Sequence, residues 1–198
     1  GAVHINPHWA AGTKEQDASR IFYEPLAGWD GEGNLVPQLA AEIPSRENGG
    51  LSADGRSVTW KLKKGVKWSD GSDFTADDVI FSFDRIRQPQ GTMQIYVTGI
   101  KEIRKVDSHT IDLVLEKPVP VLLNNLTTFY IMSKSWSVKN KSEKIQDYKA
   151  KEITFASTNT NGTGPYIIKE WAPDQRVVLT ANKAWWDKLQ GNVTDIIY

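Results

Sequence analysis

Asp70, Asp73, Asp77 and Asp78 crowd one short stretch of the chain. Two carboxylates with separated pKa values are the equipment of a hydrolase, one as general acid and one as base or nucleophile. Asp70 and Asp73 are the pair such a reaction would use. A structural account competes with that reading. Asp70-Gly71 is turn chemistry. Asp77 and Asp78 follow Thr75 as the acids of a helix's first turn, where the backbone dipole favours negative charge. Other catalytic patterns are missing: there is no nucleophile elbow, no paired-histidine zinc helix and no phosphate-cradling loop. Gly162-Thr163-Gly164 runs into Pro165 and a strand pattern, not into the helix that a dinucleotide site needs. His4 and His8 stand four apart with Pro7 between them, which argues against a helical metal pair and for exposed or hydrogen-bonded rings. No catalytic residue, no metal ligand and no cofactor is expected.

Composition narrows the partners. Lys plus Arg equals Asp plus Glu at 24 each, so the net charge is zero and nucleic acid is not an expected partner. With 39% hydrophobic and 24% charged residues, the chain can bury a core. Cysteine is absent, which removes disulfides and thiolate chemistry. No apolar stretch is long enough to span a bilayer. Eight tryptophans allow two readings, core packing or a stacking wall for a ligand.

Local patterns place the elements. Residues 17–29 read as a helix leading to a turn, with Ala18, Ile21, Phe22 and Leu26 near one face and Pro25 forcing an end near Tyr23. Val58, Trp60 and Leu62 alternate as a half-buried strand, and Gly65 to Trp68 looks like its return. Thr75 and Asp78 have capping-box spacing before a helix carrying Val79, Ile80, Phe83 and Ile86, which should stop before Pro89. Residues 100–106 and 110–115 predict a hairpin through Asp107-Ser108-His109, and Val121 to Leu126 a short helix. The Lys-rich stretch 133–156 reads as surface helix and loop. Residues 166–171 and 177–181 read as strands joined by Ala172-Pro173-Asp174-Gln175, and 194–198 as the start of another. That final strand needs partners, a hint of truncation.

A series of phrases resembles one family. Asn6-Pro7-His8 is similar to the Asp-Pro-His near the start of mature peptide-binding proteins. Ile21 to Ala27 resembles their Tyr-Glu-Gly-Leu segment, and Val36-Pro37-Gln38-Leu39-Ala40 their Pro-x-Leu-Ala. The run from Trp60 to Gly71, continued by Phe74 to Phe83, is close to a family signature. Gly162-Thr163-Gly164-Pro165-Tyr166 and Asn182 to Trp186 follow in order. The chain is thus identified as a member of the bacterial extracytoplasmic solute-binding proteins of the peptide/nickel class. Two departures stand out: Asn6 replaces the common Asp, and Pro25 the common Gly.

The resemblance implies an α/β fold with mixed sheets and helices, the N-terminal lobe of a two-lobed periplasmic-binding-protein-like architecture whose second lobe is missing. It implies a larger subdomain from residues 1–30 and 157–198 around a mixed sheet, with 31–156 inserted as a smaller one. The expected role is capture of a small solute, a peptide in the first instance, for an ABC permease. The expected setting is periplasmic or otherwise extracytoplasmic, with membrane anchoring as one option, and the expected state monomeric. Ala11, Gly12 and Thr13 resemble the loop that lines the solute cleft with main-chain groups. Met93 and Tyr96 resemble a region that brings an aromatic near the peptide. Trp60, Trp68 and Phe83 are expected in the core. A protein-interaction module that holds unfolded chains and the Asp70/Asp73 hydrolase are the alternatives.

Overall fold

The computed structural model describes residues 4–9, 12–147, 149–150, 152–172 and 175–198. In chain order the elements are α1 (Thr13–Arg20), β1 (Ala27–Trp29), β2 (Leu35–Pro37), β3 (Ser57–Lys61), α2 (Ala76–Ile86), β4 (Ile100–Asp107), β5 (Thr110–Leu115), α3 (Leu122–Asn125), α4 (Lys134–Lys139), α5 (Phe155–Thr158), β6 (Tyr166–Ala172), β7 (Arg176–Ala181) and β8 (Asp195–Ile197). Single 3-10 turns lie at Gln94–Val97 and Leu126–Thr128. The named strands form a β1-β2 pair and two three-stranded sheets, ordered β3-β5-β4 and β6-β7-β8. Their ladders are all antiparallel, where a mixed sheet was expected around the chain's two ends.

The hairpin β4–β5 forms as its alternation predicts, and β5 sits at the centre of its sheet. Ile111, Leu113 and Leu115 point inward from β5, opposite Val58 and Trp60 of β3. Trp60 is fully buried. An indole of that kind removes roughly 200 Å² from water, worth about 5 kcal/mol of transfer free energy. Trp68 and Phe83 join the same cluster, which runs from Leu26 to Ile131. Residues 65–68 are not the return strand of β3. One edge of β3 is taken by β5, and the other by Gly50 and Leu51, through the Thr59 N–H to Gly50 carbonyl bond of 2.8 Å and a bridge to Val58. Residues 66–74 close on themselves instead, with the Gly71 N–H donating to the Trp68 carbonyl (2.8 Å) and a bridge from Lys67 to Asp73.

Helix α2 starts where the capping box puts it. The Thr75 side chain caps the first turn, and the Asp78 carboxylate accepts the Thr75 N–H at 2.9 Å. Replacing Thr75 by alanine is expected to cost about 1 kcal/mol, read as a shift in the urea midpoint without a change in slope. One face of α2 buries Val79, Phe83 and Ile86 in the core. A second face is buried and polar, and the apolar pattern did not reveal it. Asp78, Ser82 and Arg85 recur at helical spacing along it, Gln88 follows just past the helix end, and the four bind the backbone of residues 132–145. The Asp78 carboxylate accepts the Lys134 N–H (2.8 Å), Ser82 Oγ the Met132 N–H (2.8 Å) and Gln88 Oε1 the Ile145 N–H (2.7 Å). Arg85 Nε donates to the Ser142 carbonyl at 3.1 Å. The stretch 133–156, expected on the surface, therefore buries Ser137, Ser142, Ile145, Gln146 and Ala156. Its polar composition disguised this, because what is buried is largely main chain satisfied by α2.

Helix α1 lies earlier than its apolar spacing suggested. It is a polar helix that buries only Ala18 and Ser19. Ile21 caps its C-terminus, and the chain leaves as extended backbone whose Pro25 bridges Tyr130. Phe22 and Tyr23 are buried beneath Met132, Ala156, Val177 and Leu179, a second cluster whose margin includes Ile168 and Trp171. Strands β6 and β7 form as expected; residues 173 and 174 of the turn between them lie outside the described residues. The Gly162-Thr163-Gly164 landmark is a contact, not a cofactor turn. A Cβ on Gly162 would sit 1.9 Å from the Phe22 carbonyl oxygen, and one on Gly164 2.6 Å from that of Ile21. Only glycine lets these two backbones meet. The Thr163 carbonyl accepts both indole N–H groups of Trp185 and Trp186, at 2.7 and 2.9 Å.

Candidate functional site

Five stretches, three of them within residues 7–29, converge on one face. They are the N-terminal segment at Pro7, helix α1, strand β1 with the chain before it, the 3-10 turn after Met93, and residues 127–130. Two adjoining cavities result, and Arg20, Thr128 and Tyr130 border both. The larger is an open groove of about 500 Å³ walled by Tyr23, Glu24, Pro25, Gly28, Trp29 and Gln38. The smaller, of about 20 Å³, lies between Pro7, Gln16, Ser19, Met93 and Tyr96. Polar and charged side chains, Arg20, Glu24, Gln38 and Thr128, share the walls of the groove with the rings of Tyr23, Trp29 and Tyr130, and the smaller pocket is the more apolar of the two.

Titratable groups of the groove are shifted by burial. Burial pushes the Glu24 carboxyl up from its ordinary range; the Thr163 hydroxyl, which donates to it at 2.6 Å, and the Lys63 ammonium pull it back. Burial also raises the Tyr130 phenol, against the charge and hydrogen bond of Arg20. The groove thus offers one guanidinium, one shielded acid and the half-exposed indole of Trp29. That suits binding of a zwitterionic or amide-bearing molecule.

The expected site residues divide. Met93 is buried and Tyr96 half-buried, and both border the smaller pocket beside α1. Gly12 and Thr13 are exposed and open α1, but they border neither cavity. Gly12 has an extended backbone (φ −88°, ψ 153°), which any residue can adopt; a Cβ there would press only on the movable Glu15 carboxylate. Ala11 lies outside the described residues. Arg20, Trp29, Thr128 and Tyr130 escaped the sequence reading. For Arg20 the signal was the helix itself: once α1 is set at Thr13–Arg20, Gln16 and Arg20 fall four apart on one face.

The acids that opened the hydrolase reading do not converge. Asp70 accepts the Ser72 hydroxyl at 2.6 Å and the Asn161 amide at 3.0 Å, whereas Asp73 pairs with Lys67. The larger cavity of about 610 Å³ beside the β4–β5 turn holds none of the expected residues. Two of its three lysines are already engaged, Lys61 with Glu42 at 2.9 Å and Lys63 over the Trp186 ring at 5.5 Å.

Residues 34–198 match the family described as bacterial extracellular solute-binding proteins, family 5. The chain belongs to that family. Among relatives of this family, the periplasmic oligopeptide-binding protein OppA of Salmonella typhimurium is 27% identical over 213 residues, covering 98% of this chain. The dipeptide-binding protein of Escherichia coli is 30% identical over 203 residues, covering 92%. The chain spans 36% of the length of each. The crystal structure of a dipeptide-binding protein from Pseudoalteromonas sp. SM9913 in complex with Met-Leu superimposes with a TM-score of 0.79 at 26% identity, over 99% of this chain and 40% of that one. The family-5 chain therefore has the α/β fold of a fragment of these binding proteins, as its landmarks implied.

Proposed function

We propose that this chain is part of the first lobe of the solute-binding component of an ABC importer, and that its groove holds one side of a peptide or similar small solute. The observation that carries the reading is the shared border of the two cavities. Arg20, Thr128 and Tyr130 join an apolar pocket to a polar groove, so a solute with an apolar side chain and a charged or amide backbone meets both. Met93 and Tyr96 would flank the apolar part of the solute, beside a cavity of about 20 Å³ that is too small to enclose a side chain. Main-chain contacts at Ala11, Gly12 and Thr13 are proposed on the family resemblance alone. A second lobe closing on the solute would bury its other side, and the closed state gains from contacts made only then. The protein then works as a monomer outside the cytoplasmic membrane and hands its cargo to a permease. A larger subdomain of residues 1–30 and 157–198 with 31–156 inserted is part of the same proposal; both apolar clusters draw on residues from either side of that division.

The test is mass spectrometry of whatever the protein of full natural length releases on denaturation. Short peptides are the expected result. A protein that releases no small molecule, and that calorimetry shows to bind none, overturns the reading. The trap also predicts that one side alone is weak. If the full protein holds its solute near about −8 kcal/mol, half the contacts leave about −4, or roughly millimolar. Micromolar binding by the isolated chain would sink the two-sided trap.

A further inference from the structure

The guanidinium of Arg85 is buried on α2 with no carboxylate in ion-pair contact among the described residues. Its partners are neutral: Asn6 Oδ1 at 3.0 Å, His8 Nδ1 at 3.0 Å, and the carbonyls of Ser142 and Lys144 at 3.1 and 3.4 Å. A guanidinium can only donate, so His8 Nδ1 must carry the lone pair. The ring proton is then on Nε2, which lies 2.7 Å from the Tyr130 carbonyl and donates to it. Asn6 completes the cluster. Its Oδ1 also accepts the His8 N–H at 3.2 Å, and its amide donates to Gln146 Oε1 at 3.0 Å. Tyr130 is held on its other side by the bridge to Pro25 and by the Ile131 N–H to Glu24 carbonyl bond of 3.1 Å.

We infer that Arg85, Asn6 and His8 form a buried latch that positions the solute-facing wall at Tyr130 and Pro7, with Arg85 fixing the His8 tautomer that grips the Tyr130 carbonyl. The inference rests on the reading of the groove as the solute site. A buried cation among neutral acceptors is a poor way to gain stability. What it gives here is direction. One side chain orients an amide and an imidazole at once, and through them the segment containing Pro7 is pinned to the residue that borders both cavities. The groups facing His8 are Arg85 from α2, the Asn6 side chain on its own segment and the Tyr130 carbonyl, with the Tyr23 phenol beyond Arg85. Burial first, and then the Arg85 charge, hold its pKa down to about 3 from an ordinary 6.5. Acid opens the latch only far below the usual histidine range, because a proton on Nδ1 would face the guanidinium.

Two measurements on the protein of full natural length decide the matter. Imidazole nitrogen NMR should show His8 as the Nε2–H tautomer, titrating well below 6.5. Hydrogen exchange should show His8→Leu speeding exchange at Tyr130 and Ile131 by about tenfold while the β3-β5-β4 sheet is unchanged. His8→Gln, whose amide can accept from Arg85 and donate to Tyr130, should rescue most of that protection. Calorimetry with tri-alanine as probe should then show about tenfold weaker binding by His8→Leu, mostly through faster release. An Nδ1–H tautomer, or unchanged exchange in His8→Leu, overturns the latch whatever tri-alanine does. Wild-type protein that binds no tri-alanine, with tautomer and exchange as expected, keeps the latch and removes the peptide reading.

Discussion

Gly162→Ala is expected to lower stability by about 3 kcal/mol or more, a loss of roughly 6–12 °C in the thermal midpoint. The added methyl would stand 1.9 Å from the Phe22 carbonyl oxygen. That obstacle is backbone, and it is held in place: the same carbonyl accepts the Gly164 N–H at 3.1 Å, and the Gly162 carbonyl accepts the Ser69 N–H at 2.9 Å. Relief requires the 21–24 segment to move away from the 162–164 turn. That would disturb the Glu24–Thr163 bond and the wall of the groove as well. Gly31→Ala is the control, since a Cβ there meets nothing within 4 Å. Thermal unfolding followed by circular dichroism checks both. A Gly162→Ala midpoint indistinguishable from that of Gly31→Ala would show that the turn is not packed against Phe22 as described.

Arg85→Met is expected to cost about 2–4 kcal/mol. Methionine replaces the stem but none of the donors. Asn6 Oδ1, His8 Nδ1 and the Ser142 and Lys144 carbonyls lose a partner together, and unsatisfied buried acceptors cost about 1–3 kcal/mol each before relaxation. Part of that is recovered, because desolvation of the cation, which holds the Arg85 pKa down to about 10, disappears with it. Arg85→Lys should lose nearly as much, since one ammonium cannot span acceptors arranged for a planar fork. Urea unfolding measures all three proteins. Wild-type stability in Arg85→Met would mean that water satisfies these acceptors in the native fold.

The legible parts of the fold are those decided by near neighbours. The box of Thr75 and Asp78, the alternation of Ile111, Leu113 and Leu115, and the hairpin turn at Asp107 to His109 each carry their instruction within a few residues. Helix α1 was misplaced because Ile21, Phe22 and Leu26 mimic a helical face, although they are buried by different elements. The polar face of α2 was invisible for the opposite reason: Asp78, Ser82 and Arg85 look like solvent-facing residues until the backbone they serve is known. Of the candidate site, Met93 and Tyr96 were expected through family likeness, and both border the smaller cavity. Arg20, Trp29 and Tyr130 share no pattern with them, because only long-range packing of separate segments makes them neighbours.

The polar face of α2 also sets which changes the chain can tolerate between residues 132 and 145. This segment is recognised through its N–H and C=O groups, which every residue but proline supplies equally. Its outward side chains, Lys134 and Lys139 among them, are free to drift in type. Its length is not. A single deletion would slide every following donor and acceptor off its mark on the helix at once. Diversity here should take the form of substitution, while insertions and deletions gather elsewhere.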